Sequence, residues 1–161
     1  MRKLAMLAAA AAVLGFPAAA SAQEGVYLGA GYTHFSGDDA DVGGITGRLG
    51  YRFHPNIAVE GEGTFGVVDD DPVELDSSWG VYGVGILPVS PEFDLFARVG
   101  YHNTEVSGGP ITVEEDGVAY GAGAQWNLSD RFGIRGEYTR LEGDDDGVDT
   151  FGLSGVWRLG R

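Results

Sequence analysis

The sequence predicts an all-β protein, an eight-stranded antiparallel up-and-down β-barrel that spans a membrane. Three observations predict it: eight segments alternate between apolar and small or polar residues, an export signal precedes them, and short turns alternate with longer acidic connections. The final segment shows the alternation most clearly, with Phe, Leu, Gly, Trp and Leu at positions 151, 153, 155, 157 and 159. Successive side chains of a strand point to opposite faces, so each segment has one apolar face.

The export signal occupies the N-terminus. Arg2 and Lys3 precede an uncharged apolar run that ends at Phe16, and Ala20-Ser21-Ala22 fits the small-x-small pattern of signal peptidase. The run is too short to span a bilayer comfortably as a helix, which argues against a membrane anchor. We therefore predict cleavage between Ala22 and Gln23, a signal peptide at 1–22 and one barrel domain at 23–161.

Each of the eight segments has about the 9–11 residues that a tilted strand needs to cross a bilayer. The connections after the even-numbered segments are brief, whereas those after the odd-numbered segments are mostly longer and acidic. This asymmetry predicts an outer-membrane barrel with both termini in the periplasm of a Gram-negative bacterium. The segments are roughly 25–35, 44–53, 57–66, 78–87, 93–103, 117–127, 131–141 and 150–160.

Charge divides the molecule into two ends. All 24 acidic residues follow the predicted cleavage site, and 17 of them lie in or beside the odd-numbered connections, which contain no lysine or arginine. So acidic a chain is not expected to bind nucleic acid unaided. Acidic clusters at 38–41, 69–71 and 144–149 offer carboxylates to calcium, but none matches the twelve-residue calcium loop. We interpret them as solvated, negatively charged loops that could bridge weakly to lipopolysaccharide through divalent cations, with calcium ligation as the alternative; no cofactor or disulfide is predicted.

Aromatic residues on the apolar parity fall at two heights, as the two interfaces of a membrane require. Apolar residues of the same parity, such as Leu49, lie between them. The set near the acidic end is Tyr32, Phe65, Tyr101, Tyr120, Tyr138 and Phe151, and the set near the short turns is Phe53, Trp126, Phe132 and Trp157.

The opposite parity carries charges and is predicted to line the lumen. Its charged members form a predicted interior network: Arg48, Arg52, Glu60, Glu62, Arg98, Arg135, Glu137 and Arg158. Small residues between them leave room for long side chains in a narrow barrel. We place Gln125 and these glycines on the same parity: Gly29, Gly31, Gly50, Gly83, Gly85, Gly100, Gly121, Gly123 and Gly152.

Turn lengths predict how the charges pair. Placing Phe53 opposite Ile57 sets Arg48 opposite Glu62 and leaves Arg52 diagonal to Glu60. Pairing Trp126 with Phe132 sets Arg135 opposite Gly123 and Glu137 opposite Gly121. Because an eight-stranded barrel is just wide enough for side chains to fill, we expect a structural polar core rather than a gated ion path.

The chain resembles the porin-like outer-membrane β-barrel family, which includes the barrel domain of outer membrane protein A and the opacity-type surface proteins. The resemblance implies the same barrel and an interaction with the barrel-assembly machinery, whose signal is similar to Gly155-x-Trp157-x-Leu159. It implies little about activity. The segments that carry it are Gly25–Tyr32, Gly47–Phe53, Tyr82–Ile86, Tyr120–Ala124 and Gly133–Tyr138.

Two residues at the outer rim suggest contact with lipids. Arg140 lies on the outward parity above Tyr138, where it could pair with a lipid phosphate or with nearby loop acids. His34 and Ser36 share the outward parity, and Glu142 or Asp144 could orient the histidine for lipid-modifying chemistry. No specific motif supports that enzyme, so we regard the pair as chance surface residues.

We therefore predict a non-enzymatic outer-membrane barrel with a structural or surface-interaction role. Its predicted partners are outer-membrane lipids, including lipopolysaccharide. A narrow gated channel for small solutes is the first alternative, and an outer-leaflet lipid-modifying enzyme is the second.

Overall fold

The computed structural model describes the barrel and leaves the predicted leader and its Ala22–Gln23 cleavage site outside the described residues. Most of the three acidic clusters also lies outside them. In the described part of the chain, no helix is long and apolar enough to cross a membrane. The described residues are 24–37, 41–68, 73–143 and 147–159.

Eight strands form one closed barrel, which confirms the predicted fold. Every strand pairs antiparallel with its sequence neighbours, and the last strand closes the barrel by pairing with the first. The strands are β1 (Gly25–Ser36), β2 (Asp41–His54), β3 (Ile57–Val68), β4 (Val73–Ser90), β5 (Phe93–Gly108), β6 (Ile111–Asn127), β7 (Phe132–Leu141) and β8 (Val148–Arg158).

The apolar parity faces outward around the barrel. Leu49 is 57% exposed, and both predicted aromatic sets stand on the same outer surface. Charged side chains occupy the interior instead, since Arg98 and Glu60 are only 4% and 2% exposed. This inversion of a soluble core is typical of a barrel whose outer surface contacts lipid. The interior also contains aromatic residues that parity on these strands places inward: Tyr27, Phe35, Tyr82 and Phe96.

The orientation predicted for strand β4 was wrong. Gly83 and Gly85 face outward, and Tyr82 and Val84 face the lumen. The reason is the register with β3, in which Glu60 lies opposite Tyr82. A polar interior on β3 therefore requires the tyrosine, and not its glycine neighbours, to be inside. The other glycines predicted to be inward share the inward parity of their strands.

The turn between β2 and β3 also differs from the prediction. Arg48 does lie opposite Glu62, but a bulge places His54, not Phe53, opposite Ile57. The turn is held by Asn56, which is 1% exposed. Its side-chain nitrogen Nδ2 donates to Ile86 O at 3.0 Å, and its backbone carbonyl accepts from Ile86 N at 2.8 Å.

The register of β6 with β7 is shifted by two residues from the prediction. Trp126 pairs with Ile134, so Arg135 lies opposite Gln125 and Glu137 lies opposite Gly123. The cause is a longer turn, in which Ser129 Oγ accepts from the backbone N–H of Phe132 at 3.0 Å. A shift of two keeps every side chain on its predicted face.

The connection between β5 and β6 is a continuation of both strands and not the long loop that was predicted. The strands remain paired to Gly108 and Ile111, and only Gly109 and Pro110 form the turn. Gly109 has a φ of 59°, a conformation that favours glycine. With the outer part of β4, which pairs with β5, this hairpin forms a sheet that projects beyond the rest of the barrel wall.

The exposed face predicts a depth-dependent response to charge. We expect Leu49→Arg to destabilise the barrel in a lipid bilayer by about 2–4 kcal/mol, because Leu49 lies between the aromatic girdles. Leu159→Arg is the control, since Leu159 is equally exposed at 60% but lies near the interface, where the cost falls to about 0–1 kcal/mol. Equilibrium unfolding of the protein in vesicles measures both. Equal, negligible effects would contradict a lipid-facing surface.

Candidate functional site

Six charged side chains meet in the middle of the lumen, and we call them the central cluster. They come from four strands: Arg48 on β2, Glu60 and Glu62 on β3, Arg98 on β5, and Arg135 and Glu137 on β7. Three arginines and three glutamates make the cluster electrically neutral.

Glu62 joins two of the arginines. Arg98 donates to both of its carboxylate oxygens, at 2.5 Å and 2.9 Å, in a fork-like geometry. Arg48 donates to Glu62 Oε2 at 2.7 Å through Nη2 and at 3.2 Å through Nε. Such paired, charge-assisted bonds are among the strongest in proteins.

Glu60 is the most deeply buried member, with no side-chain surface exposed. Arg135 donates to its two oxygens at 2.6 Å and 3.2 Å, and the Tyr27 hydroxyl donates to Oε1 at 2.6 Å. Arg48 and Arg98 lie farther away, with nitrogen–oxygen distances of 3.5 Å and 3.6 Å. A buried carboxylate is stable only with such compensation, because an isolated one would be costly.

Glu137 connects all three arginines. Arg135 Nε donates to Oε2 at 2.9 Å, Arg98 lies at 3.4 Å, and Arg48 makes a short contact with Oε1. Because each glutamate has more than one arginine, no pair in the cluster is isolated. The side chains fill the cross-section, as expected for a barrel of this size.

Two interior aromatic rings pack under the guanidinium groups. The Arg98 guanidinium carbon lies 3.7 Å from the centre of the Tyr82 ring, and that of Arg135 lies 3.8 Å from the centre of Phe96. Cations are attracted to the faces of aromatic rings. A Cβ at Gly123 would come within 2.5 Å of both Gly136 O and the Phe96 ring, so glycine is needed there by both the neighbouring backbone and the ring. Phe96 shares the inward parity of Arg98 on β5 and could have been found from it, whereas Tyr82 could have been found from its position opposite Glu60.

Arg52 and Arg158 belong to a different group, contrary to the prediction of one network. Arg52 lies 3.5 Å from Asp94 and donates to Pro55 O, rather than pairing with Glu60. Arg158 donates to the side chain of Asn127 and to Asp130 O. The separation arises because Asp94, which was not predicted as a site residue, provides a carboxylate near the short turns. It lies on the same parity as Arg98, which could have revealed it.

A small cavity of about 30 Å³ lies between this second group and the central cluster. It has room for about two water molecules. Its polar lining includes Arg52, Asp94, Gln125, Arg135 and Arg158, and its apolar walls include Val84, Ile86 and Val156.

Above the central cluster, the lumen is closed by hydroxyl and apolar side chains. Thr46 Oγ1 lies 2.7 Å from Thr33 Oγ1 and 2.6 Å from Thr64 Oγ1, which links three strands by hydrogen bonds. Beyond this chain, Phe35, Val42 and Leu141 are buried. The lumen is thus filled by ionic, hydroxyl and apolar layers in succession.

Arg140 stands on the outer rim, where the sequence placed it. Its guanidinium donates to Asp149 at 2.9 Å and lies 3.5 Å from Glu142. The Tyr138 hydroxyl also donates to Asp149, at 2.7 Å. Arg140 is therefore held by nearby acidic residues, which were one of the two kinds of partner predicted for it.

His34 and Glu142 are not brought together as the enzyme alternative requires. His34 Nε2 lies 3.8 Å from Asp41, whereas Glu142 accepts from Tyr120 and faces Arg140. Asp144 lies outside the described residues. Within the part of the chain that the structure describes, no three His, Asp or Glu side chains are arranged to hold a metal ion.

A barrel with a lipid-facing outer surface and a charged, filled lumen is characteristic of small outer-membrane proteins. The chain belongs to the outer membrane protein beta-barrel domain family, whose model matches residues 6–158. No curated protein matches the chain significantly.

Solved structures with the same fold include small outer-membrane barrels. One is Ail, the attachment invasion locus protein of Yersinia pestis, which was solved in complex with the heparin analogue sucrose octasulfate. It is 23% identical to this chain with a TM-score of 0.62, and the match covers 85% of this chain and all of Ail. The N-terminal barrel domain of Pseudomonas aeruginosa OprF is 15% identical with a TM-score of 0.67, again covering 85% and 100%. Neisserial surface protein A is 17% identical with a TM-score of 0.58, covering 84% and 97%.

The central cluster predicts a large effect of removing one charge. We expect Glu60→Gln to lower the free energy of unfolding by about 3–5 kcal/mol, because it leaves buried arginine charge without its partner. Glu92→Gln is the control, since Glu92 is exposed in a turn and a change there should stay within about 0.5 kcal/mol. Urea unfolding of the reconstituted protein measures the difference. Similar values for the two variants would show that the cluster contributes little to stability.

Proposed function

We propose that this protein acts at the surface of a Gram-negative outer membrane, through its acidic outer end, while its lumen serves as a closed structural core. The observation that supports this most directly is the central cluster. Its six side chains form ion pairs with one another across the lumen, and buried apolar residues lie above them. A filled lumen leaves the outer end as the part of the molecule available to partners.

The chemistry of the outer end favours cationic partners. In the described residues, the carboxylates of Glu105, Glu114, Glu115 and Asp116 stand on the projecting sheet, and none has an arginine or lysine within ion-pair distance. Ail was solved with a sulfated heparin analogue. The charge of this chain argues against a similar polyanionic ligand here, because like charges at an interface are unfavourable.

The surrounding lipids are further proposed partners. The aromatic girdles would lie at the two interfaces, and Arg140 would contact a lipid phosphate by exchanging it for Asp149. Divalent cations could bridge loop carboxylates to lipopolysaccharide. We propose no enzymatic activity. Among the described residues, His34 at the rim forms no nucleophile–base pair, and Glu142 does not orient it.

A gated channel is the second candidate, and one observation favours it. Glu137 contacts three arginines, while Arg48 Nη1 and Arg98 Nε have no hydrogen-bond acceptor among the described residues. Such surplus donors would allow the carboxylates to exchange partners. The cavity below the cluster would form one end of the resulting path.

Bilayer conductance distinguishes the two candidates. With a filled structural core, we expect the wild-type barrel to show no steady conductance, and Arg48→Ala or Glu62→Ala to open a leak by removing a side chain that fills the lumen. A wild-type conductance that either substitution alters would instead support the channel. Heat-dependent mobility on a detergent gel would verify that each variant is folded.

Cationic binding tests the surface role. We expect the folded protein in neutral vesicles to bind a soluble lysine–glycine peptide, and the binding to weaken as salt increases, because exposed charges are screened. Vesicles without protein are the control. Absence of binding at low salt would contradict the proposed cationic partner.

A further inference from the structure

We propose that the open edge of strand β6 binds an extended peptide segment as an additional strand, and that this segment alternates cationic and apolar residues. The inference rests on the proposed surface role and names the class of partner. It follows from three features of the projecting sheet: the backbone of Glu114 and Asp116 on the side away from β5, the two unlike faces of the strand, and its charge.

The first feature is the backbone of β6 above the barrel wall. The last strand pair between β6 and β7 joins Ala119 to Leu141, and Glu142 N donates to Val118 O at 2.8 Å. Backbone groups of a strand point alternately to its two sides, so those of Asp116 and Glu114 face the same side as those of Val118. Beyond Glu142, the described residues provide no strand on that side. These groups therefore form an edge that can accept another strand.

The second feature is the difference between the two faces of the edge. On the face that continues the outside of the barrel, Glu114 and Asp116 present carboxylates. On the face above the lumen, Ile111 and Val113 are 64% and 57% exposed, and Glu115 follows them on the same parity, nearer the barrel. An added strand would place alternate side chains on these two faces. Cationic residues would lie beside the carboxylates, and apolar residues would lie beside Ile111 and Val113.

The third feature is uncompensated charge. Asn103 donates to Glu114 at 2.9 Å, and the Tyr101 hydroxyl donates to Asp116. Both donors are neutral, so neither bond brings a positive charge to the carboxylate, and each bond orients the side chain that accepts it. A lysine or arginine from a partner would meet preoriented carboxylates, which favours a cationic segment over a neutral one.

The same charge disfavours pairing between two copies of this protein. If two β6 edges met, their Glu114 and Asp116 side chains would stand on adjacent strands, and like charges there are destabilising. The edge is therefore suited to a foreign segment. It includes the backbone groups of Glu114 and Asp116, which lie about 7 Å apart at the usual rise of a strand.

Glu114 offers a matched pair of substitutions. Glu114→Gln removes the carboxylate but keeps the backbone N–H, whereas Glu114→Pro removes both. Proline is tolerated on an edge strand when its missing N–H would face solvent. Because the backbone groups of Glu114 face the edge, neither substitution removes a backbone hydrogen bond between β5 and β6. Glu114→Gln keeps a side-chain acceptor for Asn103, whereas Glu114→Pro loses that side-chain bond as well. The comparison thus isolates backbone pairing from charge.

The test uses the full-length barrel in vesicles and a capped synthetic peptide of alternating lysine and valine. We expect the wild type to bind it, Glu114→Gln to bind several-fold more weakly, and Glu114→Pro to bind at least about tenfold more weakly than Glu114→Gln. Binding should slow amide hydrogen exchange at Glu114 and Asp116. A version of the peptide with methylated backbone nitrogens keeps its charge, cannot pair as a strand and should not produce this protection.

Equal binding by the two variants, or binding without slower exchange, would overturn strand addition but leave the cationic surface role intact. Failure of both the alternating peptide and the lysine–glycine peptide to bind would overturn both. Should Glu114→Pro fail the heat-mobility test for folding, the methylated peptide still decides the question on the unaltered protein. Peptide-independent dimers that Glu114→Pro abolishes would assign the edge to self-association and contradict the proposal.

Discussion

The mutual compensation of three arginines and three glutamates in the lumen is the interaction on which the rest of the structure depends. Each charge comes from a strand whose other face is apolar, so a slip of one residue in any pairing would expose charge to lipid and bring apolar residues inside. Because these charges are buried, each one requires a partner, since a buried charge without a partner is strongly unfavourable. The central cluster therefore constrains the register of strands β2, β3, β5 and β7 together.

Much of this arrangement could be predicted from the sequence, because the period of a strand is two and the barrel is narrow. Arg48 opposite Glu62 followed from the short turn between their strands, and the structure shows that pairing. The outward aromatic sets followed from parity alone. On β4, parity was assigned from its glycines, which are small enough for either face, so the assignment failed there. The neighbouring charge on Glu60 was the more reliable guide, because only one face of β3 can bury it.

Other features depend on contacts that a linear pattern does not contain. The two-residue shift between β6 and β7 arises from hydrogen bonds to the Ser129 hydroxyl. The grouping of Arg52 with Asp94 depends on which strands meet across the lumen near the short turns. The projecting hairpin was predicted as a loop because its acidic residues suggested solvent. Its cross-strand pairs and the Gly109-Pro110 turn instead maintain strand structure far from the barrel.

The projecting sheet also gives the molecule a direction within the plane of the membrane. Strands β4, β5 and β6 have 18, 16 and 17 residues, whereas β7 and β8 on the opposite side have 10 and 11. The barrel wall is thus tall on one side and low on the other. As the molecule rotates about the membrane normal, its tall side faces each direction in the membrane plane in turn. Encounters with other molecules in the membrane would therefore depend on which side of the barrel faces them. Molecules that approach from above would meet the top of the projecting sheet first.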